Sequence, residues 1–534
     1  MKAWLALSFS LFLSSSLRGQ AAQTAQPPND ARPATAAEIA PDAASEKPDP
    51  KKRAKELLDG AAEMVSSVQP QVQAAALIHI AESYRVLNRG RSLSLLQQAF
   101  QDTAVLAADG DHDWRSELQA QIANQAIEID LSAGIGLLQQ IVPASDAHDP
   151  RGSAIDKAAG ILMQREQSDS ALELIESAGS IGAYPYDAVG IVMSRLPADD
   201  PRRAAAFRGA LSAFVNHPNS AFGRLVARHW REAPGYLAKS AIESLVNWIL
   251  ESKDESFLTE SLATSRGAVT LNTRKAADLF DVMSALRAVD PARADDILTQ
   301  YPDLRAALAY FPEGTQSMMG RDGSLTTSTH TSAAGISQGT QARQQTTAVA
   351  ESRAAAALAQ LSDSPQKALD AVRAIPLPDK QAEVLGAIAQ SVSAKDPEAA
   401  RSILSQCMSL LDSIQDPALR APKWPIVAQA AYRAKDEQGA WAAIGRGMSD
   451  ASALYQLDSD SDRPNVALRE YWPSTQYFRL IVAKATELFG ADAESLLAKI
   501  PDPELVLLAR IEIARVLLGQ PPSVTRIDID RRSK

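Results

Sequence analysis

Two carboxylate-rich turns contain the residues of this chain whose spacing is most similar to that of a metal-binding site. Residues 109–113 read Asp-Gly-Asp-His-Asp, the alternation with which a calcium-binding loop begins. Such a loop also needs Gly at its sixth position and a bidentate acid at its twelfth. Those positions hold Trp114 and Ala120, and the run at 458–462 fails at the same two positions. We therefore expect acidic turns without a metal site, with weak cation binding as the alternative.

The histidines and the single cysteine do not form a recognisable catalytic pattern. No two histidines stand four residues apart with a third ligand, as a zinc site requires, and no phosphate-cradling G-x-x-x-x-G-K loop or G-x-S-x-G elbow is present. Cys407 lies in an apolar helical pattern, where a core position is expected. We predict no catalytic, cofactor-binding or metal-binding residue, and no cofactor. The histidines are His79, His112, His148, His217, His229 and His330.

Aromatic side chains are concentrated in the last third of the chain. Large aromatic residues serve either as core or as anchors for a bound partner. Both uses stay open here, and the partner-binding interpretation predicts a groove lined by aromatics for a peptide or a glycan. The candidate partner-binding residues are Trp424, Trp441, Tyr455, Tyr471, Trp472 and Tyr477.

The elements that carry these residues are predicted to be helices, because Asp-Pro recurs where one apolar helical pattern stops and another starts. Asp accepts a hydrogen bond from the free N–H groups of the first turn, and Pro fits the next position because its missing N–H would be unsatisfied there. We find almost no persuasive strand between these starts. The pairs are Asp200-Pro201, Asp290-Pro291, Asp396-Pro397, Asp416-Pro417 and Asp502-Pro503, with Ser364-Pro365 as a variant.

Apolar residues recur at three and four positions from about residue 51 onward, which indicates amphipathic helices. The connections between them are short, and short connections make antiparallel neighbours. In the second half the pattern predicts helix pairs and one last helix. These are 345–361 with 364–375, 378–394 with 396–412, 421–434 with 436–448, 474–488 with 491–499, and then 502–518.

The second helices of these pairs resemble one another. Their starts at Asp363, Asp396 and Asp436 are 33 and 40 residues apart, and small residues such as Ala399, Ala400, Gly439 and Ala440 follow. Small residues there let a partner helix approach closely. In hairpin length and in these small residues the chain resembles the tetratricopeptide-like superfamily of α-helical solenoids. The resemblance implies a concave groove that binds peptides or protein partners, and it assigns no individual binding residue.

The first residues have the pattern of a secretory signal peptide. Lys2 precedes an apolar stretch from Ala3 to Leu13, and Gly19-Gln20-Ala21 places small residues where a signal peptidase cuts. The stretch is shorter than the roughly 20 residues that span a bilayer. We expect export to the periplasm or the extracellular space and no transmembrane span after removal of the signal. An uncleaved anchor or a chance apolar start is the alternative.

Composition bounds the remaining possibilities. The chain has 534 residues, 46% of them hydrophobic, and a net charge of −10, a balance that argues against nucleic acid as a partner. We predict an all-α fold, an α-α solenoid of antiparallel helical hairpins in two halves separated by a low-complexity linker. The predicted segments are a signal peptide (1–21), a disordered Pro/Ala-rich tether (22–50), an N-terminal helical-repeat region (51–312), a Ser/Thr/Gly/Gln-rich linker (313–347), a C-terminal helical-repeat region (348–520) and a disordered tail (521–534).

These patterns together predict an exported, non-catalytic interaction scaffold that binds a peptide or protein partner in the groove of its helical repeats. The alternative is an all-α cell-wall or polysaccharide hydrolase or lyase, which would need a deep cleft with convergent carboxylates of shifted pKa. The linker has its own alternative, a mobile lid or binding loop, because a structureless segment of that length is unusual inside a compact domain. The sequence leaves the partner's identity and the oligomeric state open.

Overall fold

A computed structural model describes nine stretches of the chain, all of them within one compact unit formed by residues 48–534. The predicted signal peptide, nearly all of the tether and Tyr471 lie outside the described residues. The described stretches are 49–106, 113–143, 149–252, 258–264, 267–318, 327–332, 338–361, 363–459 and 472–524.

Helices make up most of the described residues. The first part of the chain contains α1 (Pro50–Met64), α2 (Pro70–Tyr84), α3 (Arg89–Asp102), α4 (Trp114–Ile129), α5 (Leu131–Leu138), α6 (Gly152–Gln164), α7 (Ser168–Gly179), α8 (Tyr186–Arg195), α9 (Pro201–Phe214), α10 (Ser220–His229), α11 (Gly235–Glu251), α12 (Arg274–Val289), α13 (Pro291–Gln300), α14 (Pro302–Tyr310) and α15 (Thr315–Met318).

The second part contains α16 (Gln338–Leu361), α17 (Pro365–Val372), α18 (Pro378–Val392), α19 (Pro397–Ser413), α20 (Pro417–Arg420), α21 (Trp424–Arg433), α22 (Glu437–Ser459), α23 (Pro473–Phe489) and α24 (Pro503–Leu517). Short 3₁₀ helices add Val65–Ser67, Thr103–Val105, Ala421–Lys423 and the longer Gly490–Lys499. None of the helices in the described stretches is both long and apolar enough to cross a membrane.

The Asp-Pro pairs mark helix starts as predicted. At α9, α13, α19, α20 and α24 the Asp is the N-cap, its carboxylate accepts a backbone N–H of the first turn, and Pro is the first helical residue. At α17 Ser364 is the N-cap and Pro365 follows, although the hydroxyl of Ser364 makes no capping hydrogen bond. The prediction of a chain of short, capped helices is confirmed.

The helices pair as antiparallel hairpins, and the hairpins stack. In the second part α16 packs with α17, α18 with α19, α21 with α22, and α23 with Gly490–Lys499, as the sequence predicts. In each hairpin, one helix contacts the corresponding helix of the next hairpin. We call these helices the first-helix layer, and they are α2, α4, α6, α8, α10 and α12, then α16, α18, α21 and α23. Their partners α3, α5, α7, α9, α11, α13, α17, α19 and α22 form the second-helix layer. The all-α hairpin solenoid is confirmed.

A small sheet interrupts the helices and was not predicted. β1 (Leu258–Thr264), β2 (Gly267–Leu271) and β3 (Thr327–Ser332) form an antiparallel sheet in the order β2-β1-β3. The register pairs Leu262 of β1 with Val269 on one side and with Ser328 on the other. Because β3 precedes α16 and β2 packs on α12 and α14, the sheet joins the two parts of the solenoid.

The segments predicted to be unstructured are in part ordered. The linker 313–347 contains α15, β3 and the beginning of α16, while 319–326 and 333–337 lie outside the described residues. In the tail, the Pro521 carbonyl accepts a hydrogen bond from Arg515, Ser523 bonds Glu512, and Val524 is buried. A disordered tail from residue 521 is therefore wrong for residues 521–524, because buried charged groups of α24 need these partners.

The two ends of the folded chain pack on each other. α24 contacts α23 before it and α2 beyond it, and its hairpin partner is α1, the first helix. α24 is buried on most of its surface, through residues that run from Leu505 to Ala514. The first and last helices thus make one composite hairpin, which local sequence patterns did not reveal.

One buried and one partly buried ion pair cross this junction. The Arg479 guanidinium on α23 lies 3.4 Å from the Glu512 carboxylate on α24, and both side chains are at most 5% exposed. Arg515 of α24 donates to Glu82 of α2 at 2.8 Å. Removing one partner of a buried pair leaves the other charge uncompensated and costs about 3–5 kcal/mol. These pairs therefore hold α23, α24 and α2 in one register.

One glycine is required where α15 docks on α12. Gly314 has φ +60°, and a Cβ added there would lie 2.5 Å from the Phe280 carbonyl oxygen. The next residue donates its backbone N–H to the Asp281 carboxylate at 2.8 Å. Both the left-handed backbone and the close approach exclude a side chain at this position.

Gly314→Ala is expected to lower the free energy of unfolding by roughly 1–3 kcal/mol, because it combines an unfavourable φ with a steric clash. Gly136→Ala is the matched control. Gly136 lies inside α5 with open space around its Cα, so the same change there should raise stability by about 0.5–1 kcal/mol. Urea unfolding followed by circular dichroism measures both, and equal effects would contradict the docking role of Gly314.

The Glu82–Arg515 pair predicts an acid-sensitive contribution to stability. Burial alone would raise the pKa of Glu82, but the hydrogen bond and charge of Arg515 lower that pKa below its ordinary value of 4.5. A lowered folded-state pKa contributes stability above pH 4.5 that is lost as pH falls through the folded value. Glu82→Gln should therefore lower the free energy of unfolding at pH 7, and this difference from the wild type should disappear in acid. Denaturant titrations across pH test this. Glu63 is exposed, so Glu63→Gln should show no such pH-dependent difference.

Candidate functional site

Charged side chains link successive helices of the first-helix layer. Glu128 of α4 pairs with Lys157 of α6, and Arg224 of α10 donates to Asp187 of α8 at 3.2 and 2.6 Å. In the second part Lys380 and Lys423 play the same role: Lys380 pairs with Glu351, and Lys423 with Glu383. Asp187 and Arg224 remain 45% and 53% exposed. The layer therefore presents a row of paired charges along the stacked hairpins, which are about half exposed at Asp187 and Arg224 and much less so at Lys423, whose side chain is 12% exposed.

The same layer contains a cavity of about 100 Å³ between α6 and α8. Its polar lining consists of the carboxylates of Asp149, Asp156 and Asp187 together with Tyr184 and Tyr186. Ligand sites for drug-sized molecules usually enclose about 300–1,000 Å³. This cavity is large enough for the end of one side chain and too small for such a ligand.

A buried ion pair holds the rim of the cavity in place. Arg151 donates to both carboxylate oxygens of Asp149 and to the Ala178 carbonyl, and the side chains of Arg151 and Asp149 are 1% and 4% exposed. The Ala183 N–H donates to the same carboxylate at 3.1 Å. Gly182 allows this packing, since a Cβ there would lie 2.5 Å from Arg151 Nη2. The charge of Asp149 is thereby neutralised, so this residue contributes to the shape of the cavity more than to its charge.

Asp156 is the carboxylate of the cavity without a neutralising partner. In the described part of the chain it makes no hydrogen bond or ion pair, and its side chain is half-buried. Burial, and then the charge of Asp187, raise the pKa of Asp156 to about 7, although Arg224 lowers it. Asp156 thus changes charge near neutral pH, whereas Asp187 is paired with Arg224. A protonatable carboxyl beside a charged one can accept a cation or exchange a proton.

A Ser-His-Glu arrangement lies nearby, at the ends of α8 and α10. His229 Nδ1 is 2.7 Å from the Glu232 carboxylate, and His229 Nε2 is 3.4 Å from the Ser194 hydroxyl. Because a carboxylate only accepts, Nδ1–H donates to Glu232 and leaves Nε2 of the neutral ring as an acceptor. Burial lowers the pKa of His229, which keeps the ring neutral.

The geometry does not favour nucleophilic catalysis by Ser194. Its hydroxyl donates to the Gly190 carbonyl at 2.7 Å, a shorter contact than the one to His229. Ser194 also sits in the last turn of α8, where the helix dipole is negative and opposes a developing oxyanion. Arg203 ties the group to the core by bonding Glu232 and the Leu196 carbonyl. The arrangement fits a structural clamp between α8, α9 and α10.

Sequence reasoning missed both groups for the same reason. Ser194 and His229 stand 35 residues apart, and Asp156 and Asp187 stand 31 apart, so that each pair is separated by about one hairpin. Only the stacking of hairpins brings them together. For the Ser-His-Glu group, the sequence offered one local signal, which was the spacing of three residues between His229 and Glu232 at the end of α10.

Two of the candidate aromatics belong to the core. Trp424 and Tyr477 are each 1% exposed. Trp424 Nε1 donates to the Asp450 carboxylate at 2.7 Å, and the Tyr477 hydroxyl donates to the Ala418 carbonyl at 2.9 Å. The partner-binding prediction is wrong for these two, because their rings fill the space between hairpins and their polar atoms are satisfied there.

Trp441 lies closer to the surface. Its half-buried ring stacks on Phe489 with centroids 4.3 Å apart, and the partly exposed Tyr432 meets Phe489 edge-on at 5.3 Å. These three rings bridge α21, α22 and α23. The stacking explains their positions by packing, and a contact of Trp441 with a partner stays a prediction.

The remaining aromatics are partly accounted for. Tyr455 is half-buried and donates to the Asp502 carboxylate at 2.7 Å, next to the start of α24. Trp472 is half-buried and precedes α23 as its N-cap. Tyr471 lies outside the described residues. For these residues, too, partner binding stays a prediction. Within the stretches that the structure describes, no group of three or more His, Cys, Asp or Glu side chains is placed so that it could hold a metal ion.

Comparison with known proteins adds little to this description. No protein-family model matches the chain, and no curated protein matches it at a significant level. Among solved structures it is similar to one described as a circular tandem repeat protein with novel repeat topology and enhanced subunit contact surfaces. That similarity has 11% identity, covers 88% of this chain and 97% of the other, and has a TM-score of 0.17. A TM-score this low carries no argument, so the fold rests on the helices and contacts given above.

The pKa of Asp156 predicts how stability depends on pH. The folded protein holds this proton to about pH 7, whereas the unfolded chain releases it near 3.8. The folded state therefore binds more protons between these values, and stability falls as pH rises through them. Asp156→Asn removes this decrease in the free energy of unfolding, so the stabilisation caused by the substitution should be larger at pH 8 than at pH 5. Urea unfolding at both values measures it.

The cause of that pKa is tested separately with Asp187→Asn, which removes the neighbouring like charge. The pKa of Asp156 should then fall, and a carbon-detected NMR titration of the carboxyl reports it directly. Titration of Asp156 near pH 4 in the wild-type protein would contradict the arrangement described here.

Proposed function

We propose that this protein is an exported, non-catalytic scaffold that binds a peptide or protein partner along its first-helix layer. The observation that carries the proposal is the row of ion pairs between successive first helices, in which the Asp187–Arg224 pair is exposed. An exposed ion pair contributes only about 0–1 kcal/mol to stability. Such pairs can therefore exchange an internal partner for a charge on a bound polypeptide at little cost to the fold.

The cavity between α6 and α8 indicates which group such a partner presents. Asp149 is neutralised by Arg151, and Asp187 is paired with Arg224, so Asp156 is left to receive a cation. A lysine or arginine head group matches the cavity in both size and charge. Binding a cation favours the charged form of Asp156 and would lower its pKa, because an opposite charge within a few ångströms stabilises a carboxylate.

Export is supported by the N-terminal pattern alone, since residues 1–48 lie outside the described structure. A cleaved signal near Ala21 would leave a mature chain that begins in the Pro/Ala-rich tether. Amino-terminal sequencing of the protein recovered from the cell envelope tests this part of the proposal independently of binding.

A polysaccharide hydrolase is the second candidate, because burial and the charge of Asp187 raise the pKa of Asp156 to about 7, while the neighbouring Asp187 is paired with Arg224. Such a pair is what a general acid and its partner carboxylate require. The small cavity argues against a sugar ring between them. Release of soluble fragments from cell-wall polysaccharide by the wild type, lost in Asp156→Asn, would overturn the scaffold.

The binding face is tested by reversing one charge in each layer. Asp187→Lys disrupts the α8–α10 pair of the first-helix layer, and Asp412→Lys disrupts the equivalent pair of Asp412 with Arg446 in the second-helix layer. Both acids are about half exposed, so their effects on folding are comparable.

Each protein is immobilised and challenged with cell-envelope extract, and the bound proteins are identified by mass spectrometry. A partner retained by the wild type and by Asp412→Lys, but reduced at least tenfold by Asp187→Lys, is the expected result. Retention that is equal for both variants would refute binding on the first-helix layer. A wild type that captures nothing reproducible would refute the scaffold itself.

A further inference from the structure

The charges that line the cavity between α6 and α8 cancel in pairs, with one exception. At the rim, Arg151 binds Asp149. On α8, both carboxylate oxygens of Asp187 accept hydrogen bonds from Arg224 of α10. Asp156 of α6 makes no hydrogen bond or ion pair within the described residues. The net charge of the cavity is therefore set by one side chain, that of Asp156.

The helices packed against α6 add no other charge to this balance. α6 contacts α4, α5, α7 and α8, and α5 carries no charged side chain. Glu128 of α4 pairs with Lys157. Burial raises the pKa values of Tyr184 and Tyr186, so both lining phenols stay neutral. The other charged residues of α4 and α7 are exposed, and they are Arg115, Glu117, Asp169, Glu173 and Glu176.

A single proton therefore decides whether the cavity attracts a cation. With Asp156 ionised, a lysine or arginine head group that enters the cavity meets an unpaired negative charge at close range. With Asp156 protonated, the charges of the lining cancel, and the head group would leave water without gaining a counter-charge, which is unfavourable. The cavity of about 100 Å³ has room for one such group, so the proton and the cation compete for the same carboxylate.

This competition falls within an ordinary range of pH. Burial, and then the charge of Asp187, raise the pKa of Asp156 to about 7, although Arg224 opposes the shift. The empty cavity therefore keeps its proton in mild acid and loses it above neutral pH. A bound cation favours the ionised form, so binding in mild acid must expel the proton.

We propose that protonation of Asp156 switches this cavity between a form that holds a basic side chain of the partner and a form that releases it. The scaffold then binds its partner at neutral and alkaline pH and lets it go in mild acid. This inference rests on the proposed function, because it describes how the cation site of that scaffold is regulated.

Calorimetric titration of the full-length protein with n-butylammonium, the chain end of a lysine, tests the switch. Affinity should rise roughly tenfold between pH 5 and pH 6 and level off above pH 8, because a proton must leave for each cation bound. At pH 6 binding should release about one proton, measured from the heats in buffers of different ionisation enthalpy, and at pH 9 almost none. The uncharged n-butanol should not bind.

Two variants assign the effect to one carboxyl. Asp156→Asn keeps the shape of the side chain and removes the titrating proton. It should bind n-butylammonium at least tenfold more weakly than the wild type at pH 8, with no dependence on pH. Asp169→Asn is the matched control, since Asp169 lies on the neighbouring α7, is 89% exposed and pairs with Arg202. This control should keep the affinity and the pH profile of the wild type.

The outcomes separate this inference from the proposed function. Equal binding of n-butylammonium to the wild type at pH 5 and pH 8 would refute the switch and leave the cation site in place. A pH dependence that persists in Asp156→Asn would belong to another group and would refute the role of Asp156. Absence of binding at every pH would refute the cavity as a cation site, and the switch with it, whereas the scaffold is judged by capture of a partner on the first-helix layer.

Discussion

A helical hairpin cannot bury its apolar side by itself, and this constraint governs the whole structure. Each hairpin hides that side against the next, so the array is stable only if every hairpin has a neighbour. The end of such an array would leave an apolar face in water. In this chain α24 and α1 cover each other, and the two chain ends supply the hairpin that either end alone would lack.

Polar groups then decide how the hairpins align. Apolar burial is nondirectional, and Ala-rich and Leu-rich faces slide past one another at little cost. Buried polar contacts prevent that sliding. Asp450 accepts hydrogen bonds from Arg420 and Trp424, and Arg479 pairs with Glu512. The exposed pairs of the first-helix layer contribute less to stability.

Local chemistry made much of this fold predictable. Asp-Pro capping depends on two adjacent residues, so five helix starts could be placed correctly from the sequence. The hairpin pairs of the second half followed from short connections. The sheet was missed because β1 and β2 lie between long helical patterns, with Thr270 and Val269 among the few β-branched signals, and because the pairing with β3 spans more than sixty residues.

The site was less predictable, because it depends on neighbours that are distant in sequence. Trp424 was a candidate for partner binding, with a core position left open, and it belongs to the core; an aromatic residue in an amphipathic helix does not reveal which side it faces. Asp156 could not be distinguished from any other helical carboxylate, because its pKa is set by burial and by Asp187 one hairpin away. The composite hairpin of α1 and α24 has no local signal at all.

That composite hairpin has a consequence for how the protein is degraded. An unfolding machine or processive protease that starts at the carboxyl end must draw α24 out from beneath α1, α2 and α23 before it meets any freely detachable structure. Most repeat proteins, in contrast, can be unravelled one unit at a time from an exposed cap. We expect resistance to unfolding from the carboxyl end to be a property of the whole array. This resistance should be lost abruptly and not in steps.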